Sequence, residues 1–204
     1  MAAGRNGTVL VAYGWGYPSD QLPNALQVAR SSDHGATFTY GLADQYPSDG
    51  GISLRKPVIE IGPLGTAHLV YRKQDYPASE ILYKFSLPPY SAWSAAPVRL
   101  DDDAGETGYL PPQLAVGSCG SAGVLHVTWV TRNSQVLYSR KLARSGYRWS
   151  EPLTVGSLKG DIYRSGLAAA GARAFSIFSG STTAVPPTRW AIAGSRVWSG
   201  ITCP

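Results

Sequence analysis

The chain has 204 residues, enough for one or two ordinary domains, and carries a formal net charge of +5 with a pI near 9.3. Its 23 glycines and 15 prolines argue against long helices, while six Trp, 12 Tyr and four Phe suit strands packed through aromatic and β-branched residues. No apolar run is long enough to span a membrane, Met1 to Gly7 has no apolar leader core, and the basic residues form no long tract. The expectation is therefore a globular, all-β chain with neither membrane nor nucleic acid as partner.

In chain order, Gly7 leads into the alternating run Val9 to Tyr13, and Ala25 to Arg30 reads as the next strand. The octet Ser31-Ser32-Asp33-His34-Gly35-Ala36-Thr37-Phe38 follows, with the pattern S-x-D-x-G-x-T-F. Asp and hydroxyl side chains can bond their own backbone and close a tight turn, and glycine supplies a backbone angle that other residues resist. Every defined position is thus explained by turn chemistry, so Asp33 and His34 are structural in this reading. A second unit runs through Pro57 to Ile61, Gly65 to Tyr71, Ile81 to Ser86 and Trp93-Ser94. A third runs through Pro112 to Val116, Gly123 to Trp129, Gln135 to Lys141 and Trp149-Ser150. The fourth has Ser165 to Ala169, Gly171 to Phe178, Thr188 to Ala193 and Trp198-Ser199, with Ser199 to Pro204 as its last strand.

Two marker series keep the same phase. The glycines Gly7, Gly65 and Gly123 stand 58 residues apart, and the aromatics Phe38, Trp93, Trp149 and Trp198 stand 55, 56 and 49 apart. Four strands per unit at this period predict the blades of a β-propeller. The blades fall at about 7–46, 54–101, 109–155 and 161–204 of a single domain spanning 1–204. Gln27 to Phe38 aligns without a gap to Tyr138 to Trp149, where Leu142, Arg144 and Arg148 replace Ser31, Asp33 and Thr37. Blade one is expected to lack its inner strand, since Met1 to Asn6 is short and polar. Three arrangements fit that gap: a segment of a longer propeller, a ring completed by a second copy, or a tight four-bladed ring that closes imperfectly. The first is favoured because the repeat starts in mid-blade.

The octet resembles the Asp-box, or BNR repeat, of the sialidase-like β-propellers, which commonly have six blades. The resemblance implies carbohydrate recognition, with exo-sialidase-type glycoside hydrolysis as its enzymatic form, and it is compatible with secretion, while the residues themselves leave the compartment open. No Gly-rich phosphate motif, Ser elbow or Cys-His arrangement appears, so no cofactor is expected. A non-catalytic lectin-like or protein-interaction propeller is the alternative, because one fold hosts many functions.

The loops from outer to next inner strand, and from second to third strand, share one face. They bring Asp101, Asp102, Asp103, Glu106, Tyr109 and Asn133 around blade three, Arg55, Lys56, Asp75 and Tyr76 around blade two, and Tyr163 and Arg164 to blade four. Tyrosines and asparagine suit sugars, and arginine can hold a carboxylate in a bidentate fork. Arg55-Lys56-Pro57 resembles the Arg-Ile-Pro motif of sialidases, and Tyr163-Arg164 stands at the matching place in blade four. The resemblance implies Arg55 and Arg164 as anion anchors and one of Asp101, Asp102 and Asp103 as general acid. Tyr109 or Tyr163 would then be the nucleophile with Glu106 nearby. His68 and His126 occupy equivalent repeat positions without a third ligand, and the two cysteines lack metal-ligand spacing, so no metal is expected.

Overall fold

The computed structural model describes residues 1–15, 24–47, 51–75, 78–101, 108, 110–144 and 146–181, and the backbone of 190–198. The described residues form strands and no helix, grouped in two compact units, Met1–Gly105 and Glu106–Pro204.

The first unit holds two four-stranded antiparallel sheets. One contains β1 (Ala2–Ala3), β2 (Val9–Trp15), β3 (Ala25–Ser31) and β4 (Thr39–Gln45), in that spatial order. The other contains β5 (Ser53–Ile61), β6 (Ala67–Asp75), β7 (Ala78–Ser86) and β8 (Val98–Arg99), also in chain order. Alternation along the strands sends Leu10, Leu26, Val28 and Ala43 of the first sheet into one core with Leu54, Ile59, Leu69, Tyr71 and Leu82 of the second. Each such large apolar side chain contributes roughly 1.5–3 kcal/mol through burial.

The second unit repeats the plan with β9 (Gln113–Gly117), β10 (Val124–Val130), β11 (Gln135–Leu142) and β12 (Leu153–Ser157). A further sheet contains β13 (Ile162–Ala170), β14 (Arg173–Ser181) and β15 (Trp190–Trp198), three strands among the described residues. Val130 and Val136 pack with Ile162 and Phe178 between these two sheets. At the other end of β9, a Cβ added to Gly117 would lie 2.0 Å from the Gly171 carbonyl oxygen, so backbone meets backbone there. Cys119 is disulfide-bonded and 1% exposed; Cys203 lies outside the described residues.

Both marker series acquire a physical reason. Gly7, Gly65, Gly123 and Gly171 all have positive φ, between 61° and 78°, and each turns the chain into the second strand of its sheet. The Ser after the Trp closes the third strand reciprocally. Ser94 N donates to Phe85 O (2.9 Å) while Phe85 N donates to Ser94 Oγ (3.3 Å), and Ser150 makes the same pair with Arg140 at 2.8 and 3.1 Å.

Two expectations are corrected. Blade one has an inner strand: Ala2 pairs with Leu10 and Ala3 with Val9, because two small residues suffice once Gly4 N bonds Thr8 O and Ala2 is buried. Trp198 does not open an outer strand. Phe38, Trp93 and Trp149 each stand seven residues beyond the end of their third strand, whereas Trp198 is the last residue of β15 and pairs with Arg173. The final strand expected over Ser199 to Pro204 lies outside the described residues.

The octet is held by its own side chains. Ser31 Oγ donates to Asp33 Oδ1 (2.6 Å) and accepts from Gly35 N (2.8 Å), while Asp33 accepts from Thr37 N (2.9 Å) and Thr37 Oγ1 (2.6 Å). Hydrogen bonds from Ser31 first, then Thr37, hold the Asp33 carboxyl far below the usual carboxylate range.

Candidate functional site

The polar residues of the first unit collect where β5 starts and β6 ends. The ladder pairs Ser53 with Gln74, Leu54 with Lys73 and Arg55 with Arg72. It then slips at a bulge before Val58, where Lys56 takes a φ of 55° and Pro57 offers no ladder donor. Arg55 and Arg72 thus stand directly opposite each other, an arrangement that puts their Cβ atoms about 4.5–5.5 Å apart on one face. Arg72 is 2% exposed, and Arg55 keeps its Nε buried without a hydrogen-bond partner. Two arginines on one face suit a carboxylate, sulfate or phosphate that accepts from both.

The other face of the sheet is closed by internal pairing. Lys73 Nζ bonds Glu80 Oε2 at 3.2 Å and lies 5.0 Å from the centre of the Tyr46 ring. Lys84 Nζ meets Asp44 Oδ1 at 3.2 Å, and the Tyr71 hydroxyl donates to Asp44 Oδ2. Burial foremost, and then Asp44, push the Tyr71 hydroxyl far above its ordinary value, so it remains a donor. Asp101 is 4% exposed; its Oδ1 accepts from Ile81 N at 3.0 Å and Arg99 Nε at 3.2 Å, which ties β8 to β7. Lys56 and Asp75 are exposed, the latter at the β6–β7 hairpin.

In the second unit, Tyr163 sits at a bulge in β13, 49% exposed, with its hydroxyl 3.3 Å from Ser181 Oγ, and Arg164 is exposed beside it, paired in register with Ser179. Asn133 is exposed in the Thr131–Ser134 turn, which Ser134 N closes on Thr131 O at 3.1 Å. Asp102, Asp103, Glu106, Tyr109 and Tyr76 lie outside the described residues.

Arg72 was not among the residues singled out by sequence, although a signal exists. Fifty-eight residues on either side the repeat has Gly14 and Val130, so an arginine interrupts an otherwise apolar or small position. The equivalent histidines are explained by a shared pairing: His68 Nδ1 lies 2.9 Å from the Tyr83 hydroxyl and His126 Nδ1 lies 2.8 Å from that of Tyr138. Burial, then Arg140, lower the His126 pKa to about 4, so its ring is neutral near pH 7. No group of three or more His, Cys, Asp and Glu gathers as metal ligands among the described residues.

No family model and no curated protein matches the chain. Solved structures do. A leech intramolecular trans-sialidase complexed with 2,7-anhydro-Neu5Ac aligns at TM-score 0.59 and 17% identity over 94% of this chain and 30% of its own. The intramolecular trans-sialidase of Ruminococcus gnavus, in complex with oseltamivir carboxylate, aligns at 0.52 and 19% over 75% and 33%. A GH62 hydrolase in complex with xylotriose aligns at 0.53 and 14% over 93% and 62%. The chain spans about a third of the length of the two trans-sialidases. Its fold is all-β, with the four antiparallel sheets of a propeller like those of these enzymes.

Proposed function

We propose that this chain is a sialidase-like propeller with Asp-box repeats, that it recognises acidic glycans, and that it hydrolyses them as an exo-glycosidase. The observation that carries the reading is the Arg55–Arg72 pair at the head of β5 and β6, a fork suited to a sugar carboxylate. Support also comes from fold neighbours that hold sugars or a carboxylate inhibitor. In this reading Arg55 and Arg72 anchor the carboxylate and Lys56 adds charge at the rim, with Asp75, Tyr76 and Asn133 as sugar contacts. Arg164 stays assigned as an anion anchor, and Tyr109 or Tyr163, with Glu106, as nucleophile. Of the three neighbouring acids, Asp102 and Asp103 keep the general-acid role, because Asp101 is already engaged by Ile81 and Arg99. That engagement also favours a second reading, a lectin-like or protein-interaction propeller without turnover. A single domain over 1–204, and a second copy or further propeller segment as partner, are parts of the proposal that the solution mass tests.

The test is turnover of a fluorogenic sialoside by the wild type, Arg55→Ala and Arg164→Ala, with glycan binding measured on the same samples. The expected result is hydrolysis that falls at least a hundredfold in each variant while the melting temperature holds. Hydrolysis unaffected by either substitution would overturn the assignment, and sialoside binding without turnover would select the lectin-like reading.

A further inference from the structure

The second unit carries a charged surface that the site above does not use. Between Glu106 and Glu151 the sequence has no Asp or Glu but holds Arg132, Arg140, Lys141, Arg144 and Arg148. Topology separates these cations. Arg132 belongs to the turn joining β10 to β11, whereas Arg140 and Lys141 lie just before the last residue of β11, Leu142, and Arg144 and Arg148 lie in the turn that leads to β12. Exposed Arg173 begins β14 just after Gly171, whose carbonyl lies against Gly117 at the same end of the unit. The acid in this neighbourhood is Glu151, exposed just past the turn.

The turn keeps the positive-φ glycine of the octet and discards its side-chain lock. Gly146 has a φ of 81° where Gly35 has 89°, and Leu142, Arg144 and Arg148 replace the three locking residues. Arg144 and Arg148 are exposed, and Arg144 Nη2 donates to Ser121 Oγ at 2.9 Å, with further guanidinium donors available to solvent or a ligand. Lys141 Nζ lies 5.9 Å from the centre of the Trp149 ring, and Tyr147 is 51% exposed between the two arginines.

We propose that this turn end of the third sheet docks a linear anionic polysaccharide, a sulfated or carboxylated glycan. Cations gathered on one edge repel each other in the free protein, and a polyanion relieves that repulsion while releasing its own counterions. Guanidinium forks match sulfate and carboxylate, and the exposed Tyr147 ring can lie on a sugar face. A single-stranded nucleic acid fits less well. Within the turn the Trp149 ring is held by Lys141, which leaves Tyr147 as the turn's exposed aromatic where successive bases need a row.

The test uses the whole chain and a fluorescent heparin fragment, with binding followed by anisotropy from low salt upward. Arg144→Gln/Arg148→Gln should weaken binding about tenfold or more at low salt and reduce the dependence of log K on log salt by about one to two. The graft Leu142→Ser/Arg144→Asp/Arg148→Thr, which installs the lock of the octet, should weaken it further with the fold preserved by circular dichroism. Arg132→Gln, at the opposite end of the sheet, should stay within about twofold of wild type. The proposal is overturned if the wild type does not bind the fragment, if the double variant and the graft bind like the wild type, or if Arg132→Gln loses as much as the double variant. Tighter binding of a single-stranded oligonucleotide of equal charge would also overturn it, in favour of nucleic acid.

Discussion

The turns after β3 and β11 share a positive-φ glycine four residues past the strand end and an aromatic seven past it, yet they are stabilised in opposite ways. The first satisfies itself: Ser31, Asp33 and Thr37 spend their polar atoms on one another and on the local backbone. The second leaves Arg144 and Arg148 exposed and closes on the backbone through Ser150 and Arg140. A turn built on the same glycine conformation therefore serves either as a stable corner or as a surface for presenting charge, according to the side chains around it.

The contrast reaches into the sheet beneath, where the largest effect is expected. His126 stands opposite Arg140 in the ladder, with its Nδ1 on Tyr138 and its Nε2 against Gly117, whereas His68 stands opposite Phe85. A folded pKa near 4, below an unfolded value near 6.5, means that the unfolded chain binds the proton first. The His126 contribution is complete above pH 6.5 and declines as pH falls toward 4, by up to about 3 kcal/mol. Urea unfolding of the wild type and His126→Phe across that range should give a steep slope for the first and a shallower one for the second.

Smaller effects sharpen the comparison at the turns themselves. Gly35→Ala and Gly146→Ala should each cost about 1–2 kcal/mol in urea unfolding, since both positions need a left-handed backbone. Ser31→Ala should cost about 1 kcal/mol, because it strands the Gly35 amide, while the matching Leu142→Ala loses no such bond. Equal polar losses at the two turns would contradict their different locks. Least of all, Lys141→Met should lower stability by about 0.5 kcal/mol or less through the lost contact with Trp149.

The repeat was legible because its markers are backbone devices. A glycine needing positive φ, or a serine closing two strands, leaves a residue at a fixed spacing, as Gly65 and Ser94 do. The β1 strand escaped the reading because two alanines carry no periodicity. Trp198 misled it because a Trp-Ser pair can end a long strand as well as follow a turn. At the candidate site, Arg55 was visible through its motif, but Arg72 became evident only through register, which places residues 17 apart in sequence side by side. The acid at Asp101 looked available in sequence because the strand partner that engages it, Ile81, lies 20 residues upstream.

The disulfide at Cys119 has a consequence for how the bond is reduced. A link of this kind typically supports a small domain by about 2–4 kcal/mol, and it forms where the surroundings are oxidising. With Cys119 only 1% exposed, attack at its own sulfur requires the second unit to open, so reduction from that side is coupled to local unfolding.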